Sequence, residues 1–395
     1  MLNEAVAGLS DYPFPRLAAL LKDIAPKPGL PPIDLSIGEP KEGLPDLIRP
    51  LIDEGFADFG RYPPVAGTPE LRQAIVRWLA RRYRLPEGLL DPERHVAPLS
   101  GTREGLFMLP LVVVPREKGG GRPAALMPNP FYQVYKGGAV AAGAEPVYLP
   151  ATAATGFLPD LDAIPAALLA RTALLYLCSP SNPQGAVADR AYLGRALALA
   201  RAHGFVLAVD ECYAEIYDRE PPPGGLEAAA ATGSLAGVVV FHSLSKRSSA
   251  PGLRSGFVAG CPDVLRSFKN LRNYSAAGMP LPIARAATAL WGEETHVEVT
   301  RARYRAKFDA AARAIGNRFG FRRPAGGFFL WLEVGDGEGT ARTLWSEAAV
   351  KVLPGAYLGH ASAGADNPGD GYVRLALVHD LPTVTEAMRR IAETL

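Results

Sequence analysis

Between about residue 70 and residue 260 the chain alternates short apolar runs with longer stretches rich in Ala, Leu and Arg, and this alternation decides most of what it can fold into. Seven runs stand out: "HVAPL" (95–99), "AALM" (124–127), "PVYL" (146–149), "ALLYLC" (173–178), "FVLAV" (205–209), "VVVF" (238–241) and "GFVAG" (256–260). They are apolar on both faces instead of alternating, as strands covered by helices on either side must be. The stretches between them read as helices. One of these, "AYLGRALALARAHG" (191–204), closes on a glycine well placed as a cap. Strand and helix in strict alternation predict an α/β architecture with a mostly parallel sheet.

After residue 270 the texture changes. A long helical stretch (about 282–316) leads into "GGFFLWLEV" (326–334), a helix around 340–350, then "VKVLPG" and "GYVRLALV". Strands with fewer helices between them suggest a smaller α+β domain. A chain of 395 residues exceeds one compact core, so two domains are expected. The loops "REPPPGG" (219–225) and "ASAGADNPGDG" (361–371) are expected to be mobile surface elements.

Bulk composition narrows the partners. A formal net charge of +2 gives no reason to expect nucleic acid or an anionic membrane. No apolar stretch reaches the roughly 18–20 residues that span a bilayer, and the N-terminus lacks a signal peptide's apolar centre. Three cysteines, all in or beside apolar runs, fit buried thiols in a reducing compartment. The expectation is a cytoplasmic protein. Six histidines without HExxH spacing make a metal site unexpected.

In an open parallel sheet, ligands bind beyond the carboxyl ends of the strands. Polar residues stand just past four of these runs: "SGTREG" (100–105), "SPSNPQG" with Asn182, Asp210 to Tyr213, and Ser243, Ser245 and Lys246, with Arg254 eight residues on. Taken singly these have plain readings, as an N-cap, a turn, a second cap or a solvated loop cation. Arg374 resists such a reading, because it sits mid-run in "YVRLALV" beside Ala376 and Val378, where an unpaired guanidinium is costly. Together the residues ask for one ligand. It carries a phosphate for the SGT amides, Ser243 and Arg254, a ring nitrogen for Asp210, a phenolate oxygen for Asn182 and Tyr213, and an aldehyde for Lys246. Pyridoxal 5′-phosphate has all four.

With "SIGEP" (36–40), "YPPVAG" (62–67), "SGTREG" (100–105), "NPFYQVY" (129–135), "SNPQG" (181–185), "DECYAEI" (210–216), "SLSKRSSAPGLRSG" (243–256) and "YVRLAL" (372–377), the chain resembles the class I/II aminotransferases of fold type I from about residue 30 to its end. The resemblance implies a large domain (46–280) with a mostly parallel seven-stranded sheet. It also implies a smaller α+β domain (281–395), with residues 1–45 packing against it. It implies that Lys246 forms an imine with the cofactor and shuttles a proton, that Asp210 pairs with the ring nitrogen, and that Tyr213 and Asn182 bind the ring hydroxyl. Tyr132 would stack on the ring. Gly101, Thr102 and Arg103, with Ser243, Ser245 and Arg254, would hold the phosphate. Arg374, assisted by Asn182 and the backbone near Gly38, would clamp the substrate α-carboxylate. Tyr62 would reach the neighbouring subunit's phosphate in a homodimer with shared sites.

Substrates on this reading are an amino acid and a keto acid. "FHSLSKRSSAPGLRSGFVAG" looks most like the proteobacterial succinyldiaminopimelate aminotransferases of lysine biosynthesis. A long succinylated side chain suggests an open groove bordered by the loops 219–225 and 361–371. Arg103 and Arg247 flank the phosphate and lysine motifs, but the sequence assigns neither to a distal carboxylate. Acetylornithine, aspartate, alanine and aromatic amino acids stay open as alternatives, as does carbon–sulfur lyase chemistry. A transcription regulator's sensing domain is disfavoured, because only about 30 residues precede "IDLSIGEP".

Overall fold

The computed structural model describes residues 4–9, 12–362 and 366–395. All seven apolar runs form strands of one sheet: β1 (Val96–Leu99), β2 (Ala124–Asn129), β3 (Glu145–Pro150), β4 (Thr172–Cys178), β5 (Val206–Asp210), β6 (Val238–Ser243) and β7 (Gly256–Gly260). Their order is β1-β7-β6-β5-β4-β2-β3. Only β7 runs antiparallel to its neighbours, β1 and β6; the other pairs are parallel. Every residue of the interior strand β4 is buried, whereas edge strand β3 is half-exposed along most of its length. From β2 the chain winds one way to β3, and from β4 the other way to β5 and β6. A crevice opens at such a reversal.

The sheet's two faces feed two separate cores. Leu126, Leu175, Leu207 and Val240 pack into one. Their immediate neighbours Ala125, Leu174, Ala208 and Val239 pack into the other, as the two-residue period of a strand requires. Among the helices used below are α1 (Pro13–Leu21), α2 (Pro69–Tyr83), α3 (Thr102–Val113), α4 (Gln133–Ala141) and α5 (Arg190–His203). After these come α6 (Leu244–Arg247), α7 (Leu281–Gly292) and α8 (Thr295–Ile315). Helix α5 starts where the Asp189 carboxylate accepts the Tyr192 amide at 2.7 Å, and it ends on Gly204 at φ 62°, the glycine cap expected.

The stretch 282–316, read as one helical run, is two helices. Gly292 ends α7, and the Glu293 carboxylate then accepts the amides of Thr295 and His296 and so starts α8 afresh. Beyond α8 a three-stranded antiparallel sheet forms from β8 (Phe329–Glu333), β9 (Leu353–Pro354) and β10 (Tyr372–Ala376), in the order β9-β10-β8. Two N-terminal pieces join this part of the molecule. Ile33–Asp34 pairs in parallel with Val350–Lys351, and Leu17 and Leu21 of α1 pack with Trp331, Leu353 and Tyr357.

Of the loops expected to be mobile surface, 219–225 is exposed only at its start. Pro222, Gly224 and Gly225 are buried, because the Pro222 carbonyl accepts from Arg82 and the Gly225 amide reaches the buried Glu211 carboxylate. In the second loop, 363–365 lie outside the described residues. Among the described residues no helix is long and apolar enough to cross a membrane.

Candidate active site

One cavity of about 590 Å³ opens at the carboxyl ends of the strands. Lys246, Asp210, Tyr213, Thr102, Arg103, Tyr132, Asn182, Ser243, Ser245, Arg254, Gly38 and Arg374 all line it, brought together from the ends of β2, β4, β5 and β6, from α3 and from β10. Gly101 stands just behind, at the N-cap of α3 with φ +88°; a Cβ there would meet the Arg254 guanidinium, whose Cζ lies 2.8 Å from that point. Tyr62 is the exception. It is fully exposed and does not line the cavity of its own chain.

Asp210 is the last residue of β5 and is buried. Its Oδ2 accepts the Tyr135 hydroxyl at 2.7 Å and its Oδ1 the Cys212 amide at 3.2 Å. Burial raises the carboxyl pKa above its ordinary value, and these donors pull it back toward the anion. Lys246 follows β6 on the single turn α6. Its Nζ donates to the Gly38 carbonyl at 2.6 Å. Burial lowers its pKa to about 8, with Arg374 and Arg254 adding repulsion.

Arg374 is 4% exposed, and its Nη1 and Nη2 donate to Asn182 Oδ1 at 3.1 Å and to the Ser36 carbonyl at 2.7 Å. Its Nε is buried and has no partner among the described residues, and burial brings the guanidinium down to about 10. Since Asn182 Oδ1 accepts from Arg374, its amide N–H groups are free to donate into the cavity. Arg254 donates to the carbonyls of Pro251 and Ser100 at 3.1 and 3.5 Å, and Arg103 Nε to the Tyr132 hydroxyl at 2.8 Å. Among the described residues none of these three guanidiniums meets a carboxylate.

Sequence reasoning missed several groups. Tyr135 lies within "NPFYQVY", three residues from Tyr132, but nothing local says that it reaches Asp210. Cys212, whose Sγ is 3.1 Å from Thr102 Oγ1, lies inside "DECYAEI" between two residues with clearer chemistry. Ile37 and Glu39 stand either side of Gly38 in "SIGEP", but the sequence gives only Gly38 of that motif a task; Tyr12, Phe329 and Leu358 carry no signal and arrive from distant parts of the chain. Neither 219–225 nor the described part of 361–371 borders the cavity, so among the described residues the open groove expected there is not formed; 363–365 lie outside them.

A model for aminotransferase class I and II matches residues 31–391. The chain belongs to that family. It is a pyridoxal phosphate-dependent aminotransferase. It is 33% identical over 395 residues, 98% of this chain and 96% of the relative, to an LL-diaminopimelate aminotransferase of Desulforudis audaxviator. An aminotransferase structure from Neisseria meningitidis superposes with a TM-score of 0.94 at 39% identity, covering 99% of both chains. A probable N-succinyldiaminopimelate aminotransferase from Thermus thermophilus aligns with a TM-score of 0.82 at 28% identity, over 97% of this chain and 100% of that one.

The donor set fits the cofactor. A backbone cradle at Gly101 too tight for a side chain, a guanidinium beside it, a buried carboxylate and a lysine amine of depressed pKa are the four features the molecule demands. Bound here, pyridoxal phosphate supplies an aldehyde that captures amino groups and a protonated ring that accepts the electron pair of a breaking Cα–H bond. Among the described residues no group of three or more His, Cys, Asp or Glu is placed to hold a metal ion.

Proposed function

We propose that this aminotransferase moves an amino group from glutamate to the keto acid of N-succinyl-L,L-2,6-diaminopimelate, leaving 2-oxoglutarate, as in lysine biosynthesis. The carrying observation is that three guanidiniums line one cavity and, among the described residues, none has a carboxylate partner. Each calls for an anion. Arg254, beside the α3 N-terminus with Ser243 and Ser245, takes the cofactor phosphate. Arg374 takes the substrate α-carboxylate, its free Nε completing a fork with the Nη groups. Arg103 is left for a distal carboxylate, which glutamate and diaminopimelate derivatives both carry. Arg247, the other arginine flanking these motifs, is excluded from that task because it is buried outside the cavity.

In this reading Lys246 holds the cofactor and carries the proton between the substrate α-carbon and the cofactor. Its depressed pKa leaves it able to accept that proton near neutrality. Asp210, as an anion, keeps the ring nitrogen protonated. Tyr213 and Asn182 donate to the ring oxygen, and Tyr132 covers the ring face. The Gly38 backbone, which holds Lys246 Nζ, assists at the carboxylate. Tyr62 acts in the site of a second copy within a homodimer. The exposed Phe56, Phe59, Tyr62 and Tyr274 support that assembly.

Free LL-diaminopimelate is the second reading, favoured by the relative's name. Measuring kcat/KM for the succinylated and free compounds, acetylornithine, aspartate and alanine separates them. A tenfold preference for the succinylated compound, about 1.4 kcal/mol in transition-state binding, is expected. Arg103→Gln should lower kcat/KM for both diaminopimelate compounds and erase their preference over alanine, while leaving alanine turnover within about threefold. Preference for a substrate without a distal carboxylate would sink the proposal.

A further inference from the structure

Two residues beyond Lys246 the chain makes a contact to which transamination assigns no task. Ser248 is fully buried, and its Oγ lies 2.8 Å from Nε2 of His296. Nδ1 of the same imidazole meets the Glu293 carboxylate. Serine, imidazole and carboxylate in that sequence are the parts of a hydrolase relay. A hydrolase, however, needs its hydroxyl open to substrate, and Ser248 has no exposed surface. The relay borders a second cavity beside residues 42–47, away from the one that holds Lys246, and its link to the lysine is Ser248 itself, a member of the lysine's own turn.

The bond directions are mutually consistent. Glu293 accepts Nδ1–H, which leaves the lone pair of the neutral imidazole on Nε2. Nε2 then accepts the Ser248 hydroxyl proton, and the hydroxyl oxygen accepts Arg247 Nη1 at 3.3 Å. Burial, followed by repulsion from Arg247 and against the pull of Glu293 and Glu294, holds the imidazole below its ordinary pKa and so in the neutral form. The Ser248 amide donates to the Leu244 carbonyl at 3.0 Å, closing the turn on which Lys246 sits.

Arg247 secures the same turn from its other side. It donates to the carbonyls of Leu290 and Glu293 at 2.7 and 3.1 Å and to Glu294 at 2.8 Å, and its guanidinium lies 5.5 and 5.1 Å from the Trp78 and Trp291 rings. Residues 247 and 248 are thus held to the junction of α7 and α8. About three turns further along α8, Lys307 pairs with Glu42, which Arg303 also reaches at 3.2 Å. Glu42 lies four residues beyond Gly38, whose carbonyl receives the lysine amine. One helix therefore holds both the lysine turn and the segment that the lysine touches.

We infer that His296, oriented by Glu293 and bonded to Ser248, is a positioning residue for Lys246, fixing the lysine turn to α8 and thereby the place of its amine in the cavity. This rests on Lys246 being the lysine that carries the cofactor. Ser248→Ala, His296→Ala, the double variant and His296→Gln are compared in three measurements. These are thermal midpoint, the rate at which apoprotein mixed with pyridoxal phosphate becomes borohydride-fixed at Lys246, and kcat and KM for glutamate. Each single alanine variant should slow fixation and kcat by about five- to twentyfold, with KM within about twofold, and the double variant should be no slower than the worse single one. His296→Gln, whose carbonyl can accept the Ser248 proton, should recover part of the loss. If the near-isosteric Ser248→Ala shifts the midpoint but leaves fixation and kcat at wild-type values, the contact is only structural and the inference falls. Effects that multiply in the double variant overturn it as well. If borohydride still fixes the cofactor to Lys246→Ala, the lysine assignment itself is wrong, whatever residues 248 and 296 do.

Discussion

A lysine buried beside two guanidiniums binds its proton more weakly than one in water, and Lys246 titrates near 8 instead of 10.5. The neutral amine is the form that attacks an aldehyde. Capture of pyridoxal phosphate by apoprotein, trapped with borohydride, should therefore rise with pH and bend near pH 8; a bend near 10 would contradict the burial. The same shift has a cost to the fold. Between about pH 10.5 and 8 the unfolded chain takes up a proton that the folded chain resists, so stability falls as pH falls through that window and stays reduced below it. Lys246→Met should accordingly raise the thermal midpoint of the apoprotein at pH 7, by a gain of roughly 1–3 kcal/mol. A lower midpoint would show that the amine stabilises the site it occupies.

Elements matter here through their ends. The N-terminus of α3 presents its amides only because Gly101 takes a φ of +88° against Arg254. Gly101→Ala should weaken cofactor binding by tenfold or more in a fluorescence titration of apoprotein, through backbone strain and displacement of the guanidinium. Unchanged affinity would mean that the phosphate is held elsewhere. The start of α4 contributes differently. Tyr135 gives its hydroxyl proton to the Asp210 carboxylate, whose pKa burial already raises. Removing the donor in Tyr135→Phe raises that pKa further, and the anion is lost as pH falls through it. The acid limb of kcat should therefore move to higher pH in the variant. An unmoved limb would separate Asp210 from that limb.

At the scale of the whole molecule, the seven-stranded sheet supplies most of the cavity, but one copy leaves Tyr62 and Tyr274 on the surface. If Tyr62 serves a partner's site, subunits carrying Tyr62→Ala and Lys246→Ala complement each other. Each mixed dimer then contains one site with an intact lysine and an intact partner tyrosine. Remixing the two poorly active variants in equal amounts should restore about a quarter of wild-type activity. No gain after subunit exchange, checked by sedimentation of the mixture, would place Tyr62 outside catalysis.

Local pattern was enough to read all seven strands of the large sheet and the polar residues just beyond them, because a buried strand and its capping turn are written in consecutive residues. Lys246, Asp210, Asn182 and Arg254 were legible for that reason, and Arg374 because a guanidinium inside an apolar run is costly. Resemblance added roles to those residues and alone brought in Gly38, Tyr62 and Tyr132. The tertiary structure alone decided how the cavity is closed. Lys246 meets Gly38 across 208 positions and Arg374 meets Ser36 across 338, distances over which no periodicity carries information. It also turned Arg247 inward between two tryptophans, aimed Tyr135 at Asp210 and set His296 against Ser248. Residue type sets what each side chain can do; which neighbour it does it with depends on how helices and sheet edges pack, and that is a property of the assembled chain.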